Sequence, residues 1–243
     1  MPRKSYWEPV NYPQPTEWEI QTNVTQTVRK AANKGQPLHP VVLSGRTIAQ
    51  SWWGKAWCEN LERYADFETR LPRGQRYVRS GAVVDLQIQK GRISARVQGT
   101  RKTPYKVEIR ISPLSQARCD EIMARCTARV DTLEHLLEGE IPEAMKDVFL
   151  GDGGLFPTPK EISFNCSCPD WAVMCKHVAA ALYGVGSRLD EDPTLFFSLR
   201  GIETGRFVDV VIANKIEAML ANVDRPSARI LKSPDLTALF DVI

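Results

Sequence analysis

The spacing of apolar residues changes along this 243-residue chain, and it predicts helices at both ends of a central stretch of strands. Over residues 47–64 apolar side chains recur every three or four positions, as in an amphipathic helix, with Gly54 as the weak point. The same spacing predicts helices over residues 115–138, 142–149 and 208–220. Ser233 followed by Pro234 is typical of a helix start, and a short last helix would place Leu236, Leu239 and Phe240 on one side.

Between these helices, apolar and polar residues alternate in three short segments, which indicates strands with one buried face. The apolar positions are Val84, Leu86 and Ile88, then Ile93, Ala95 and Val97, then Val107, Ile109 and Ile111. A tight turn at Lys90-Gly91 and a loop over residues 99–104 would join them. The pattern therefore predicts an α+β fold in which a small antiparallel sheet packs with helices.

Four potential metal ligands lie within twelve positions of the second half of the chain. They form the pattern Cys-x-Cys, six residues, then Cys-x-His, and the four residues are Cys166, Cys168, Cys175 and His177. A strand would present the first two cysteines on the face of Ile162 and Phe164, and a helix would begin at the second pair. Three thiolates and one imidazole fill a tetrahedral shell, so the pattern predicts structural zinc with no open position for catalysis.

Two other interpretations of these residues stay open at this point. An iron–sulfur cluster is less natural with one histidine in so compact a motif. Small buried cysteines beside a satisfied histidine would need no metal at all.

The residues around the ligands resemble a known family. Cys-Ser-Cys-Pro-Asp-Trp, followed after three residues by Cys-Lys-His-Val-Ala-Ala-Ala-Leu-Tyr, closely resembles the SWIM zinc finger. Weaker similarity to bacterial stand-alone SWIM proteins covers residues 41–202 and includes Ser51-Trp52-Trp53-Gly54, Leu155-Phe156-Pro157-Thr158, Asp192-Pro193, Phe196 and Leu199-Arg200-Gly201. The resemblance implies binding to DNA or to protein, and association with a Swi/Snf-type helicase-like ATPase.

Five segments follow from these patterns. Prolines at six positions of residues 1–40 predict an extended N-terminal arm with at most a short helix over residues 24–33. We expect a basic α+β module over residues 41–113, a helical bridge over 114–150 and the compact strand-turn-helix zinc finger over 151–202. A C-terminal helix and tail would occupy residues 203–243.

Charge is concentrated rather than abundant. The net charge of +3 is too small to indicate a nucleic-acid-binding protein, but residues 70–112 hold eleven Lys or Arg against two acids, a local +9 that leaves −6 elsewhere. On the polar face of the predicted sheet and its turn lie Arg92, Arg96, Arg101, Lys102, Lys106 and Arg110. Such a face predicts phosphate contacts, with DNA as the first candidate. A solvated face or an acidic protein partner are the alternatives.

Aromatic and cysteine residues outside the motif have simpler interpretations. Trp52, Trp53 and Trp57 share one helical face and are predicted to be core, while Tyr77 and Tyr105 could stack on bases but more often pack. The remaining cysteines, Cys58, Cys119 and Cys126, are scattered and predicted to be structural, without disulfides.

Catalysis finds no support in the motifs. Phosphate-binding loops, dinucleotide-binding glycine patterns and nucleophile elbows are missing, and two of the three histidines, His39 and His135, have no catalytic neighbours. We therefore expect no catalytic residue, no small-molecule substrate and no cofactor besides zinc.

The sequence also supports expectations about cellular location and role. The N-terminus lacks a signal sequence, and no run of about 18 apolar residues exists, so we expect a cytoplasmic protein without a membrane partner. Two roles fit: a nucleic-acid-binding accessory subunit of a helicase-like ATPase, or a protein adaptor that docks an ATPase or another partner without touching nucleic acid.

Overall fold

A computed structural model describes residues 15–127, 140–151 and 153–203, with scattered positions between 205 and 220. Its helices are α1 (Glu17–Asn33), α2 (Trp52–Glu62), α3 (Arg70–Arg79), α4 (Gln116–Thr127), α5 (Lys146–Leu150), α6 (Lys176–Glu191) and α7 (Leu195–Leu199), and a 3-10 turn spans Glu143–Met145. Its strands are β1 (Val83–Gln89), β2 (Arg92–Val97), β3 (Tyr105–Ile111) and β4 (Ile162–Cys166). The α+β class predicted from the sequence is confirmed.

The four strands form one antiparallel sheet in the order β1-β2-β3-β4. The alternation predicted for the strands is confirmed, since the odd positions of β3 are buried while Lys106 and Arg110 are exposed. Gly91 has a φ of 67° in the β1–β2 turn, a backbone conformation that glycine adopts without strain. Strand β4, which carries the first metal ligand, pairs with β3 and places Val107 opposite Cys166. The metal-binding motif therefore begins in the same sheet as the basic strands.

The N-terminal segment differs from the expected extended arm in its described part. Glu17–Asn33 is a helix that begins seven residues before the short helix expected at residue 24. A reciprocal cap explains the difference: Thr16 accepts from the Glu19 backbone, and the Glu19 carboxylate accepts from the Thr16 backbone. Ile20, with no exposed surface, anchors this helix in the core, and Thr27 Oγ1 lies 2.7 Å from Gln98 Oε1.

Helix α6 is the centre of the fold. It lies against the apolar side of the sheet and packs with α2 and α3 at sites where small residues face each other. A Cβ at Gly74 would lie 2.5 Å from Ala179 Cβ, and one at Gly54 would lie 3.0 Å from the Gly186 carbonyl. Gly54 therefore weakens α2 locally but permits its close contact with α6.

The tryptophans of α2 form part of the core, as predicted. Trp57 is fully buried and donates from Nε1 to the Leu182 carbonyl at 3.0 Å. Trp52 and Trp53 are half-buried and donate to backbone carbonyls of other segments at 2.8 Å. Because each indole N–H is satisfied, these rings can be buried at little polar cost.

The remaining helix predictions are confirmed where the structure describes them. The 115–138 pattern begins as α4, the 142–149 pattern forms the 3-10 turn and α5, and the described positions between 205 and 220 are helical. Residues 128–139 and the predicted helix after Ser233 lie outside the described residues. Among the described helices, none is both long and apolar enough to span a bilayer.

Candidate metal centre and basic face

The four predicted ligands converge at the junction of β4 and α6. Cys166 ends the strand, Cys175 caps the helix and His177 lies in its first turn. Cys168 is the exception to the prediction, because the strand stops at Cys166 and the chain bends before bringing Cys168 to the others.

The donor atoms have a spacing that fits zinc. All four lie within 4.8 Å of one another, and His177 Nδ1 is 3.9 Å from the sulfurs of both Cys166 and Cys175. In a tetrahedral zinc shell, bonds of about 2.3 Å to sulfur and about 2.0 Å to nitrogen separate the two atoms by about 3.5 Å. The two nitrogen–sulfur distances need to contract by about 0.4 Å to match this shell, and the widest donor separation by up to about 1 Å.

The thiols also show why a cation belongs there. A hydrogen bond from Cys166 is the largest cause that lowers the pKa of Cys175 to about 4, and the imidazole of His177 helps. The same hydrogen bond, followed by burial, raises the pKa of Cys166, and burial raises that of Cys168. Three thiolates cannot coexist at this spacing without a compensating charge, which zinc would supply.

Two tyrosines hold the ligand histidine. The Tyr105 ring stacks on the imidazole at 4.2 Å between centroids, and Tyr77 meets it edge-on at 5.5 Å. Both tyrosines are buried, so they pack, and the base-stacking alternative is wrong for them. With Nδ1 facing the sulfurs, the imidazole proton belongs on Nε2.

The other cysteines are packing residues, as predicted. All six cysteines of the chain lie within the described residues, and none of them forms a disulfide. Burial raises the pKa of both Cys58 and Cys126 to about 12, so neither is a reactive thiolate at neutral pH.

The basic residues of the strands share the open side of the sheet. Arg92 lies opposite Arg110, and Arg96 lies opposite Lys106. Two carboxylates lie among them: Glu108 is 3.2 Å from Arg92 and 2.8 Å from Arg110, and Asp85 is 3.6 Å from Arg96. A shallow depression of about 440 Å³ crosses this face and is lined further by Gln87, Ser94, Asn165 and Ser167.

The two predicted cations of the turn lie apart from that face. Arg101 places its guanidinium carbon 5.2 Å from the centroid of the Tyr105 ring, toward the metal centre. Lys102 is exposed on the same turn.

One aromatic residue has no role in the predictions. Trp171 lies in the loop between the two ligand pairs and is 80% exposed. Its exposure has no signal in the local sequence, because Met174 of the same six-residue loop is only 1% exposed.

A closed Cys₃His shell between a strand and a helix defines a structural zinc finger. Residues 148–185 match the family model described as SWIM zinc finger, so this chain contains a SWIM zinc finger, as the motif predicts. The chain is also similar to an uncharacterized protein of Mycobacterium tuberculosis, Rv2102, with 40% identity over 158 residues. That match covers 64% of this chain and 57% of the relative, so the chain spans little more than half of the relative's length. No solved structure matches significantly.

Proposed function

We propose that this protein is a non-catalytic zinc protein that binds nucleic acid, DNA in the first instance, through the open face of its sheet. The supporting observation is the strand register that pairs Arg92 with Arg110 and Arg96 with Lys106. Like charges directly opposite each other destabilise an antiparallel sheet. Two such pairs side by side favour an anionic ligand over a solvated face with no ligand.

The two carboxylates limit but do not cancel this charge. Arg92, Arg96, Lys106 and Arg110 give four positive charges against Asp85 and Glu108, which leaves +2 on the face. Glu108 fixes the guanidinium groups of two arginines that are 53% and 72% exposed. Oriented arginines on an open surface suit backbone phosphates spaced along a strand.

The test neutralises the pairs rather than reversing them. Two double variants remove the sheet cations: one combines Arg92→Gln with Arg110→Gln, and the other combines Arg96→Gln with Lys106→Gln. The control double variant combines Arg29→Gln with Lys30→Gln, two exposed residues of α1. Binding to duplex DNA is measured by fluorescence anisotropy over a range of salt concentrations. Each sheet pair should weaken binding and reduce the slope of log K against log salt by about 1.8, since each phosphate contact contributes about 0.9.

Stability provides the second readout. Removing these cations also removes the ion-pair partners of Glu108 and of the buried Asp85, so the melting temperature should fall modestly in the sheet variants, whereas the control should change neither property. Unchanged affinity and unchanged salt slope in both sheet variants would exclude this face as the DNA site.

Protein docking is the second candidate, and one observation favours it. Ile212, Ile216, Met219 and Leu220 are helical and between 52% and 69% exposed, an apolar surface of the kind that mediates helix docking. Under this proposal the partner is the helicase-like ATPase that the SWIM resemblance implies. Leu236, Leu239 and Phe240, which the sequence predicts on one side of a short last helix, are a further candidate for docking and lie outside the described residues.

A tagged pull-down from native extract, with and without nuclease, separates the two candidates. Direct docking is supported if an ATPase stays bound after nuclease treatment but no longer co-purifies with the double variant Ile212→Asp and Ile216→Asp. Loss of all partners on nuclease treatment supports nucleic-acid bridging, and excludes the adaptor.

A further inference from the structure

The loop between the ligand pairs carries an exposed apolar tip. Trp171 and Val173 are 80% and 64% exposed, although both lie a few residues from zinc ligands. Exposed tryptophan of this extent on an otherwise ordered surface is typical of a contact site.

The tip is held in place from beneath. Asp66 accepts hydrogen bonds from the backbone N–H groups of Val173 at 2.7 Å and Met174 at 3.0 Å. Arg70 is ion-paired with Asp170 at 3.1 Å, and both side chains are only 21% exposed. Phe67 meets the Trp171 ring edge-on at 5.1 Å between centroids. The indole is therefore presented to solvent in a fixed position, so little conformational entropy is lost when a ligand covers it.

Two cations lie beside this loop. Lys176, at the start of α6, places Nζ 5.8 Å from the centroid of the Tyr77 ring, and Arg73 lies one helical turn before Tyr77 on α3. Within the described ranges neither cation forms an ion pair, and Asp170, the acidic side chain of this loop, is engaged by Arg70. Two adjacent cations on one surface are suited to a phosphate.

The tip also continues the basic face. Ser167 lines the depression on the sheet and exchanges hydrogen bonds with Lys106, at 2.9 Å from the Lys106 N–H and 3.0 Å to the Lys106 carbonyl. Trp171 lies four positions after Ser167, at most about 14 Å along the chain. One nucleic-acid strand could therefore contact both surfaces.

We infer that Trp171 stacks on an unpaired base of a single-stranded nucleic acid while Arg73 and Lys176 contact the adjoining phosphates. A duplex offers no free base face to an indole, whereas a single strand does. This inference rests on the proposed function for phosphate binding by the sheet, and adds a preference for single strands.

The experiment measures anisotropy with a labelled single-stranded oligonucleotide, its duplex, and a strand with abasic sites. Trp171→Ala is compared with Trp18→Ala, which removes another indole that is 73% exposed, on α1. Trp171→Ala should weaken single-strand binding about 5- to 150-fold and leave duplex and abasic-strand binding unchanged. Trp18→Ala should alter none of these. Zinc content and melting temperature verify that each variant is folded.

The cations have a separate readout. Arg73→Gln with Lys176→Gln should reduce the salt slope on single strands by about 1.4, at about 0.7 for each phosphate. An unchanged slope would overturn their assignment.

Four further outcomes would overturn the inference. Unchanged single-strand affinity in Trp171→Ala, with binding still lost in the sheet variants, removes the stacking role and leaves the proposed function intact. Equal weakening on duplex and single strand contradicts stacking on an unpaired base. Loss of a co-purifying protein, with oligonucleotide binding unchanged, assigns the tip to a protein partner. Failure of the wild-type protein to bind any of the three nucleic acids removes both proposals.

Discussion

Replacing Cys168 with serine removes one of four zinc ligands and changes a single atom. A structural zinc site contributes about 10–16 kcal/mol in isolated finger peptides at neutral pH, so one ligand is worth about 3–4 kcal/mol. The rest of the fold remains, because β4 keeps its ladder with β3 and α6 keeps its contacts with α2 and α3. For a domain of this size, each kcal/mol shifts the melting temperature by about 2–4 °C, so the expected loss is about 6–16 °C.

The matched control is Cys58→Ser, which makes the same atomic change at another partly buried cysteine. Burying a hydroxyl in its place costs about 1 kcal/mol, or about 2–4 °C. Thermal unfolding by circular dichroism, with zinc quantified by mass spectrometry, measures both variants. A Cys168→Ser protein that retains one zinc per chain and melts within about 3 °C of the wild type would refute the structural assignment of the metal.

Two further predictions concern the fold that carries the site. Gly74→Ala should destabilise the protein by about 1–3 kcal/mol because the new methyl group meets Ala179, although helix propensity alone favours alanine. Denaturant unfolding measures the change in stability, and a gain in stability would contradict the packing of α3 on α6. Gly45→Ala, where the new methyl group meets open space, is the control. Glu161→Gln should cost about 2 kcal/mol at neutral pH, because Arg200 is 1% exposed and loses its counter-charge. Burial would raise the pKa of Glu161, but hydrogen bonds from Thr158 and Arg200 outweigh it and lower that pKa. The difference between variant and wild type should therefore shrink as pH falls below the ordinary pKa of a glutamate and vanish below the lowered pKa; a constant difference would be inconsistent with this pairing.

The zinc ligands and the strands were predictable because short-range patterns encode them. Alternation along β2 and β3 follows from a sheet with one buried face, and the Cys-x-Cys and Cys-x-His pairs fix their own local geometry. Composition favoured an extended arm near residue 17, but the capping box at Thr16 and Glu19 is a stronger local signal than the prolines around it.

Long-range contacts account for what the sequence did not predict. Pairing of β4 with β3 depends on the packing of α6, and no local pattern specifies which strand is its neighbour. Glu108 was recognisable as an acid among cations, but its ion pairs with two arginines required the register of β2 against β3. Exposure of Trp171 likewise follows from the clamp that Asp66 and Arg70 provide, and these residues lie about a hundred positions earlier in the chain.

The basic face of the sheet and the Trp171 loop should depend on zinc to different extents. The cations of β2 and β3 lie on strands that hydrogen-bond to each other and bury their apolar faces, so their positions do not depend on the metal. The loop that carries Trp171 is bounded on both sides by ligands, and within the described residues it is also held by Asp66, by Phe67, by the ion pair of Asp170 with Arg70 and by the buried Met174. Removing zinc should therefore weaken any preference for single strands before it weakens phosphate binding. A chelator titration with both oligonucleotides measures that order, and simultaneous loss would mean that the metal stabilises the whole sheet.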